Sequence, residues 1–206
     1  MCSRYSRTKG QAKVGKAKVA IKTPPQAIIR PTDRASVIRR GSGGMEEAIL
    51  RWGLIPSWAN DPKIGVQCIN ARAETVPEKP AFREAFRERR CLIPADGFWE
   101  WETAGKKKIP WKFSRPDGEV FCMAGLWESW MDKGEPLETF TIITTSPNEL
   151  VRSVHDRMPV ILTPDAGEAW LEKGGTDCLR AVEDDFLVKA CEEKPAAADN
   201  QGELNF

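Results

Sequence analysis

The apolar runs of this chain are short, and proline or glycine closes most of them. Residues 49–54 run into Pro56, residues 91–93 stop at Pro94, and residues 158–162 stop before Pro164. Residues 109–113, 119–126 and 140–145 are similar in length, the last rich in β-branched side chains. Runs of this kind are strand-like. Helix signals are fewer. Residues 80–90 place proline at the first helical position and gather Ala81, Phe82, Ala85 and Phe86 on one face. Ser146-Pro147-Asn148-Glu149 has the form of a capping box and predicts a short helix to about Val154. Thr163-Pro164 opens a helix that Gly174-Gly175 closes. Pro116-Asp117-Gly118, between two strand-like runs, predicts a hairpin. Short strands that alternate irregularly with a few helices predict an α+β protein. We expect a single domain with a mixed, barrel-like β-sheet core and a few short helices, not a doubly wound parallel sheet.

The 206 residues suit one domain, expected over 1–191. Residues 8–26 are rich in Lys, Gly and Ala, with no large apolar side chain before Ile21, and predict a flexible segment. Residues 192–206 are polar and predict a disordered tail. The chain has no run of about 20 apolar residues and no apolar segment after its basic start, so neither a membrane span nor a secretory signal is expected. Six cysteines, at 2, 68, 91, 122, 178 and 191, form no CxxC pair and sit among apolar residues. They predict buried, reduced thiols in a cytoplasmic protein. With one histidine, a zinc site is not expected, and no cofactor is. Residues 1–40 carry eleven Lys/Arg against Asp33 alone, while 166–206 carry four against ten acids. The basic arm suits a polyanion, most simply nucleic acid, or is a solvated arm without a partner.

Cys2 stands out among the reactive groups. Removal of Met1 leaves a 1,2-aminothiol, whose amine titrates near pH 7.7–8.0 in model peptides. Such an amine attacks a carbonyl to give a Schiff base, and the thiol can close onto the same carbon. His155, the only histidine, lies at a predicted helix-to-strand junction, as a proton-passing group or a helix-end cap. Glu100 lies between Trp99 and Trp101, as a desolvated general acid or a strand-edge carboxylate. Alternation places Asn70, Arg72 and Glu74 on one strand face, as an orienting amide with a phosphate-binding arginine or as a polar face with an Arg–Glu pair. Trp58 follows Arg51-Trp52 closely and suits base stacking if it is exposed.

Five blocks occur in order: Met1-Cys2; Arg51-Trp52-Gly53-Leu54-Ile55-Pro56-Ser57-Trp58; Asn70-Ala71-Arg72-Ala73-Glu74-Thr75; Arg90-Cys91-Leu92-Ile93-Pro94-Ala95-Asp96-Gly97-Phe98-Trp99-Glu100-Trp101; and His155-Asp156-Arg157-Met158-Pro159-Val160. Together they resemble the SRAP family (SOS-response-associated peptidase) over about residues 28–171 and the extreme N-terminus. The resemblance implies a single domain around a barrel-like sheet, with a positively charged groove for single-stranded DNA. It also implies a processed N-terminal cysteine that crosslinks to abasic sites as a thiazolidine, and a protease-like self-processing step. Carried onto this sequence, Cys2 supplies amine and thiol, Asn70 positions Cys2 or the sugar, Glu100 moves protons and His155 opens the sugar. Arg4, Arg72 and Arg157 contact the DNA backbone, and Trp58 and Trp101 meet bases. The implied partner is single-stranded DNA containing abasic sites, bound by a monomer in the cytoplasm, at the nucleoid when on DNA. Two other readings stay open: a thiol peptidase with Cys2 as nucleophile and His155 as base, and a non-catalytic single-stranded DNA binder. The chain departs from the family at Ser3, where glycine is usual, in residues 8–26, which replace a helical segment, and in Ala27-Ile28-Ile29-Arg30-Pro31-Thr32, which lacks the usual Asn.

Overall fold

The apolar runs become strands in a computed structural model that describes residues 2–191. In chain order they are β1 (Tyr5–Arg7), β2 (Gln11–Val14), β3 (Ala17–Ala20), β4 (Gln26–Ile29), β5 (Arg34–Gly41), β6 (Gly44–Trp52), β7 (Asn70–Arg72), β8 (Arg90–Ala95), β9 (Gly97–Ala104), β10 (Lys107–Ser114), β11 (Phe121–Asp132), β12 (Glu135–Thr145), β13 (Met158–Pro159), β14 (Ile161–Leu162) and β15 (Val188–Cys191). The helices are α1 (Arg83–Glu88), α2 (Glu149–Arg152) and α3 (Pro164–Glu172). The expected tail, 192–206, lies outside the described residues. Among the described residues no helix is long and apolar enough to cross a membrane.

Five strands close on themselves in the order β12-β6-β5-β8-β11, because β11 also pairs with β12. The length of β11 makes this possible. Its first half, Phe121 to Leu126, lies against β8, and Gly125 to Asp132 lies against β12. Alternation then sorts the side chains. Cys91, Ile93, Met123, Phe140 and Ile142 belong to one core, with Tyr5 and Trp52, while Leu92, Cys122, Ala124 and Ile143 belong to a second. Helix α3 lies over that second core. Trp170 is fully buried there and donates from Nε1 to Cys91 O at 3.1 Å. Both faces of these strands are therefore buried, which explains their unbroken apolar runs. A second sheet, in the order β15-β10-β9-β1-β4, carries the N-terminus. The architecture is α+β with a barrel-like core, as expected.

Three local expectations are corrected. Residues 8–26 contain the hairpin β2–β3, whose Ala12 and Val14, with Ile21, are buried against the second core while Lys13 and Lys18 face outward. The composition is lysine-rich, but the alternation is that of a half-buried strand pair. Pro116-Asp117-Gly118 forms a turn, with Gly118 N–H donating to Arg115 O at 3.0 Å, yet it makes no hairpin. It carries the chain from one sheet to the other, since β10 pairs with β9 and β15 while β11 pairs in the barrel. Helix α2 is capped by Asn148, which accepts from Val151 N–H at 3.0 Å, rather than by Ser146. Helix α3 starts as expected, capped by Thr163.

Candidate active site

Strand β1 places position 2. Tyr5 lies opposite Phe98 and Ser6 opposite Gly97, and Trp99 N–H donates to Arg4 O at 3.0 Å. Continued along the chain, this register brings Ser3 level with Glu100. The strand is held firmly. Tyr5 packs edge-on against Trp52, with ring centroids 5.2 Å apart. The guanidinium of Arg7, 1 % exposed, donates to the carbonyls of Lys9, Thr23 and Pro24. Asp96 accepts from Ser6 Oγ (2.5 Å), Thr8 Oγ1 (2.6 Å) and the Thr8 backbone. Burial raises the Asp96 carboxyl, but these bonds outweigh it and hold the group below the ordinary range. Neither Arg7 nor Asp96 stands out in the sequence as part of the site. The signal for Asp96 is its place beside Gly97 at the end of a buried strand.

Asn70 comes from β7, which runs parallel to β12. Its Nδ2 donates to Cys2 O at 2.9 Å. Its Oδ1 is buried without a hydrogen-bond partner among the described residues. Trp52 supports this position by donating from Nε1 to Ile69 O at 2.8 Å, and it stacks on Phe140. Cys2 itself is fully buried. Burial, and then the charge of Glu100, push its thiol far above the ordinary value, so it rests as S–H.

Glu100 is 1 % exposed, and burial pushes its carboxyl up to about 7. The burial comes from a different direction than the sequence suggests. Neighbours along a strand face opposite ways, so Trp99 and Trp101 lie on the other face from Glu100. Its cross-strand partner is Trp111. His155, just past α2, brings Nε2 to 3.8 Å from Glu100 Oε2. Arg157 N–H donates to Nδ1 at 3.0 Å, which leaves the proton of the neutral ring on Nε2. Burial lowers the His155 pKa, favouring that neutral form. Near neutral pH the pair thus offers a carboxyl that can give or take a proton beside an imidazole N–H.

The nine predicted residues are not all placed alike. Cys2, Asn70, Glu100 and His155 converge from four separate elements. Arg4 sets its guanidinium over the Trp101 ring, 4.8 Å from the centroid. Arg72 is exposed two residues beyond Asn70. Trp58 is 57 % exposed and donates from Nε1 to Pro80 O at 3.4 Å. Arg157 is held in a bonded network. It is 8 % exposed, pairs with Glu74 through both terminal nitrogens (2.8 and 2.9 Å), and donates to Thr144 O at 2.6 Å. These bonds fix the loop that orients His155. The polar-face pairing read between Arg72 and Glu74 is therefore a Glu74–Arg157 pair.

A barrel that sets Cys2 near a buried carboxyl–imidazole pair defines the class. The chain belongs to the SRAP family: the model for "SOS response associated peptidase (SRAP)" matches residues 1–198. The chain is 47% identical over 155 residues to the abasic site processing protein YoqW of Bacillus subtilis (strain 168), covering 74% of this chain and 69% of that protein. It is 47% identical over 154 residues to the abasic site processing protein YoaM of the same organism, covering 74% and 68%. A crystal structure of a protein from Bacteroides thetaiotaomicron matches with a TM-score of 0.81 at 30% identity, over 93% of this chain and 92% of that one.

Proposed function

We propose that this chain binds abasic sites in single-stranded DNA and, once Met1 is removed, captures them covalently through the amine and thiol of Cys2. The observation that carries the reading is the Cys2 backbone held by Asn70 beside the Glu100–His155 pair. The relatives named above as abasic site processing proteins supply the substrate class.

An abasic sugar rests mainly as a closed hemiacetal. The Glu100 carboxylate takes the C1′ hydroxyl proton as His155 passes its Nε2 proton to the ring oxygen, the C1′–ring oxygen bond breaks to give the aldehyde, and Glu100 hands its new proton to Nε2 so that the imidazole ends neutral. The neutral α-amine of Cys2 adds to C1′ and forms a carbinolamine. Glu100, in the protonated form that its raised pKa populates near neutral pH, protonates its hydroxyl, and water leaves with formation of the iminium. The thiol sulfur then adds to C1′, its proton returns to Glu100, and a five-membered thiazolidine results. One water is released overall. A carboxyl near 7 suits both directions of proton transfer. The buried thiol stays protonated until the iminium draws the sulfur in. Arg4 and Arg72 contact phosphates, and Trp58 and Trp101 meet bases. We assign this activity to one domain, residues 1–191, acting as a monomer in the cytoplasm and at the nucleoid.

The peptidase reading needs a resting thiolate, which the burial of Cys2 and the charge of Glu100 oppose. A purely non-covalent binder gives Glu100 and His155 no task. The test is denaturing electrophoresis after incubation with an abasic single-stranded oligonucleotide. A slow-migrating adduct is expected for the wild type and none for Cys2→Ala or for Nα-acetylated protein. An adduct that survives acetylation would show that the amine is dispensable and overturn the mechanism.

A further inference from the structure

The β9–β10 hairpin extends outward from Glu100 and Trp101, and its turn is strongly basic. The register sets Pro110 opposite Trp101, Lys108 opposite Thr103 and Lys112 opposite Trp99. Residues directly opposite share a face, so Trp99, Trp101, Thr103, Lys108 and Lys112 all lie on the side away from Glu100. Arg4 belongs to the same side, over Trp101. Lys112 places Nζ 4.9 Å from the Trp99 ring centroid, and Lys108 donates from Nζ to Thr103 Oγ1 at 2.5 Å. Lys106, Lys107 and Lys108 are exposed. None of these three forms an ion pair among the described residues, whereas Arg39, Arg40, Arg115 and Arg157 each hold a carboxylate. Lys108 ends the row that begins with Arg4 and Trp101, Lys106 sits in the turn, and Lys107, opposite Ala104, falls on the other face, so three adjacent cations without ion-pair partners among the described residues cap the end of the hairpin.

We infer that the β9–β10 turn, through Lys106, Lys107 and Lys108, is a phosphate-binding lip at the outer end of the hairpin that holds the DNA backbone flanking the reacting nucleotide. The inference rests on the proposed binding of DNA at this site and adds where the flanking strand runs. The occupant is a polynucleotide backbone because the cations repeat along an extended edge instead of converging on one point, with indole rings beside them for the bases. Side-chain donors from a turn carry no base information, so the lip sets affinity and register and not sequence preference.

The experiment removes the chemistry first. In a Cys2→Ala background, binding of an undamaged fluorescent single-stranded oligonucleotide is followed by anisotropy at several salt concentrations. Three proteins are compared: the background itself, a Lys106→Gln/Lys107→Gln/Lys108→Gln variant, and a Lys13→Gln/Lys16→Gln/Lys18→Gln variant that removes the same charge from the exposed side of the β2–β3 hairpin. Each single-strand phosphate contact contributes roughly 0.7 to the slope of log K against log salt. Loss of three contacts flattens the slope by about 2. The affinity deficit of the turn variant then narrows by on the order of tenfold between about 50 and 200 mM salt. The hairpin variant is expected to keep the background slope. Equal slopes for the two variants, or no change in the turn variant, overturn the inference. If the background protein binds no oligonucleotide, it is the underlying functional reading that fails.

Discussion

Glu100 should weaken the fold that holds it, and pH should reveal by how much. An ordinary glutamate titrates near 4.5, and burial pushes this one up to about 7. At about 1.4 kcal/mol per pH unit of displacement, the ionised group costs the folded chain about 3 kcal/mol. The sign follows from proton counting. Below about pH 4.5 folded and unfolded chains both hold the proton, and the cost is absent. Between 4.5 and 7 the folded chain holds a proton that the unfolded chain has released, so stability falls as pH rises. Above 7 the cost is complete. Glu100→Gln keeps the shape and removes the charge. Urea unfolding followed by Trp fluorescence, on chains with the same N-terminus, should show the variant equal to wild type near pH 4.5. By about pH 8 it should be more stable by about 3 kcal/mol. The same substitution should slow adduct formation, because a glutamine cannot shuttle the proton. A stability difference that stays flat across this range would refute the assignment of a buried, neutral-pH carboxyl.

Three further outcomes are expected. Asn70→Ala removes the bond to Cys2 O and should slow adduct formation by about 10- to 100-fold while lowering stability by only about 1 kcal/mol, read by single-turnover gels and urea unfolding. Tyr5→Phe deletes a buried hydroxyl that has no partner among the described residues, so the melting temperature should hold or rise by the equivalent of about 1 kcal/mol; a clear loss would show that the hydroxyl is bonded. Asp96→Ala strips the acceptor from Ser6 and Thr8 and should cost about 2–3 kcal/mol at neutral pH. Because the Asp96 carboxyl titrates below its ordinary value, its contribution is present above that value and lost as pH falls through the lowered one, so melts at pH 7 should separate the variant from wild type more than melts in strong acid.

What the sequence discloses here is mostly local. The strand around Cys91, the strand ending at Thr145 and the Thr163 cap follow from apolar runs and cap residues, and the structure has them at β8, β12 and α3. Ring closure is not local. It depends on β11 being long enough to reach both β8 and β12, and on β6 meeting β12 in parallel through Arg51 and Trp52. The Pro116-Asp117-Gly118 turn looks the same whether it joins partners or sheets, which is why its chemistry misleads. In the hairpin of residues 8–26, lysine content hides the alternation of Ala12 and Val14. The candidate site follows the same division. Cys2, Asn70, Glu100 and His155 are visible as residue types in suggestive blocks, but only the β1–β9 register and the β7–β12 pairing show how they meet. The pairing of Arg157 with Glu74, far away in sequence, is likewise visible only in the structure.

The central claim is that the reactive unit is the α-amine together with the thiol of Cys2. Intact mass spectrometry of the purified chain, before and after incubation with an abasic single-stranded oligonucleotide, tests it most directly. The account predicts a protein lacking Met1 and a product equal to that protein plus the oligonucleotide less one water, stable without reductant and absent for Cys2→Ala. A chain that has lost Met1, yet returns only its own mass after incubation, would contradict it.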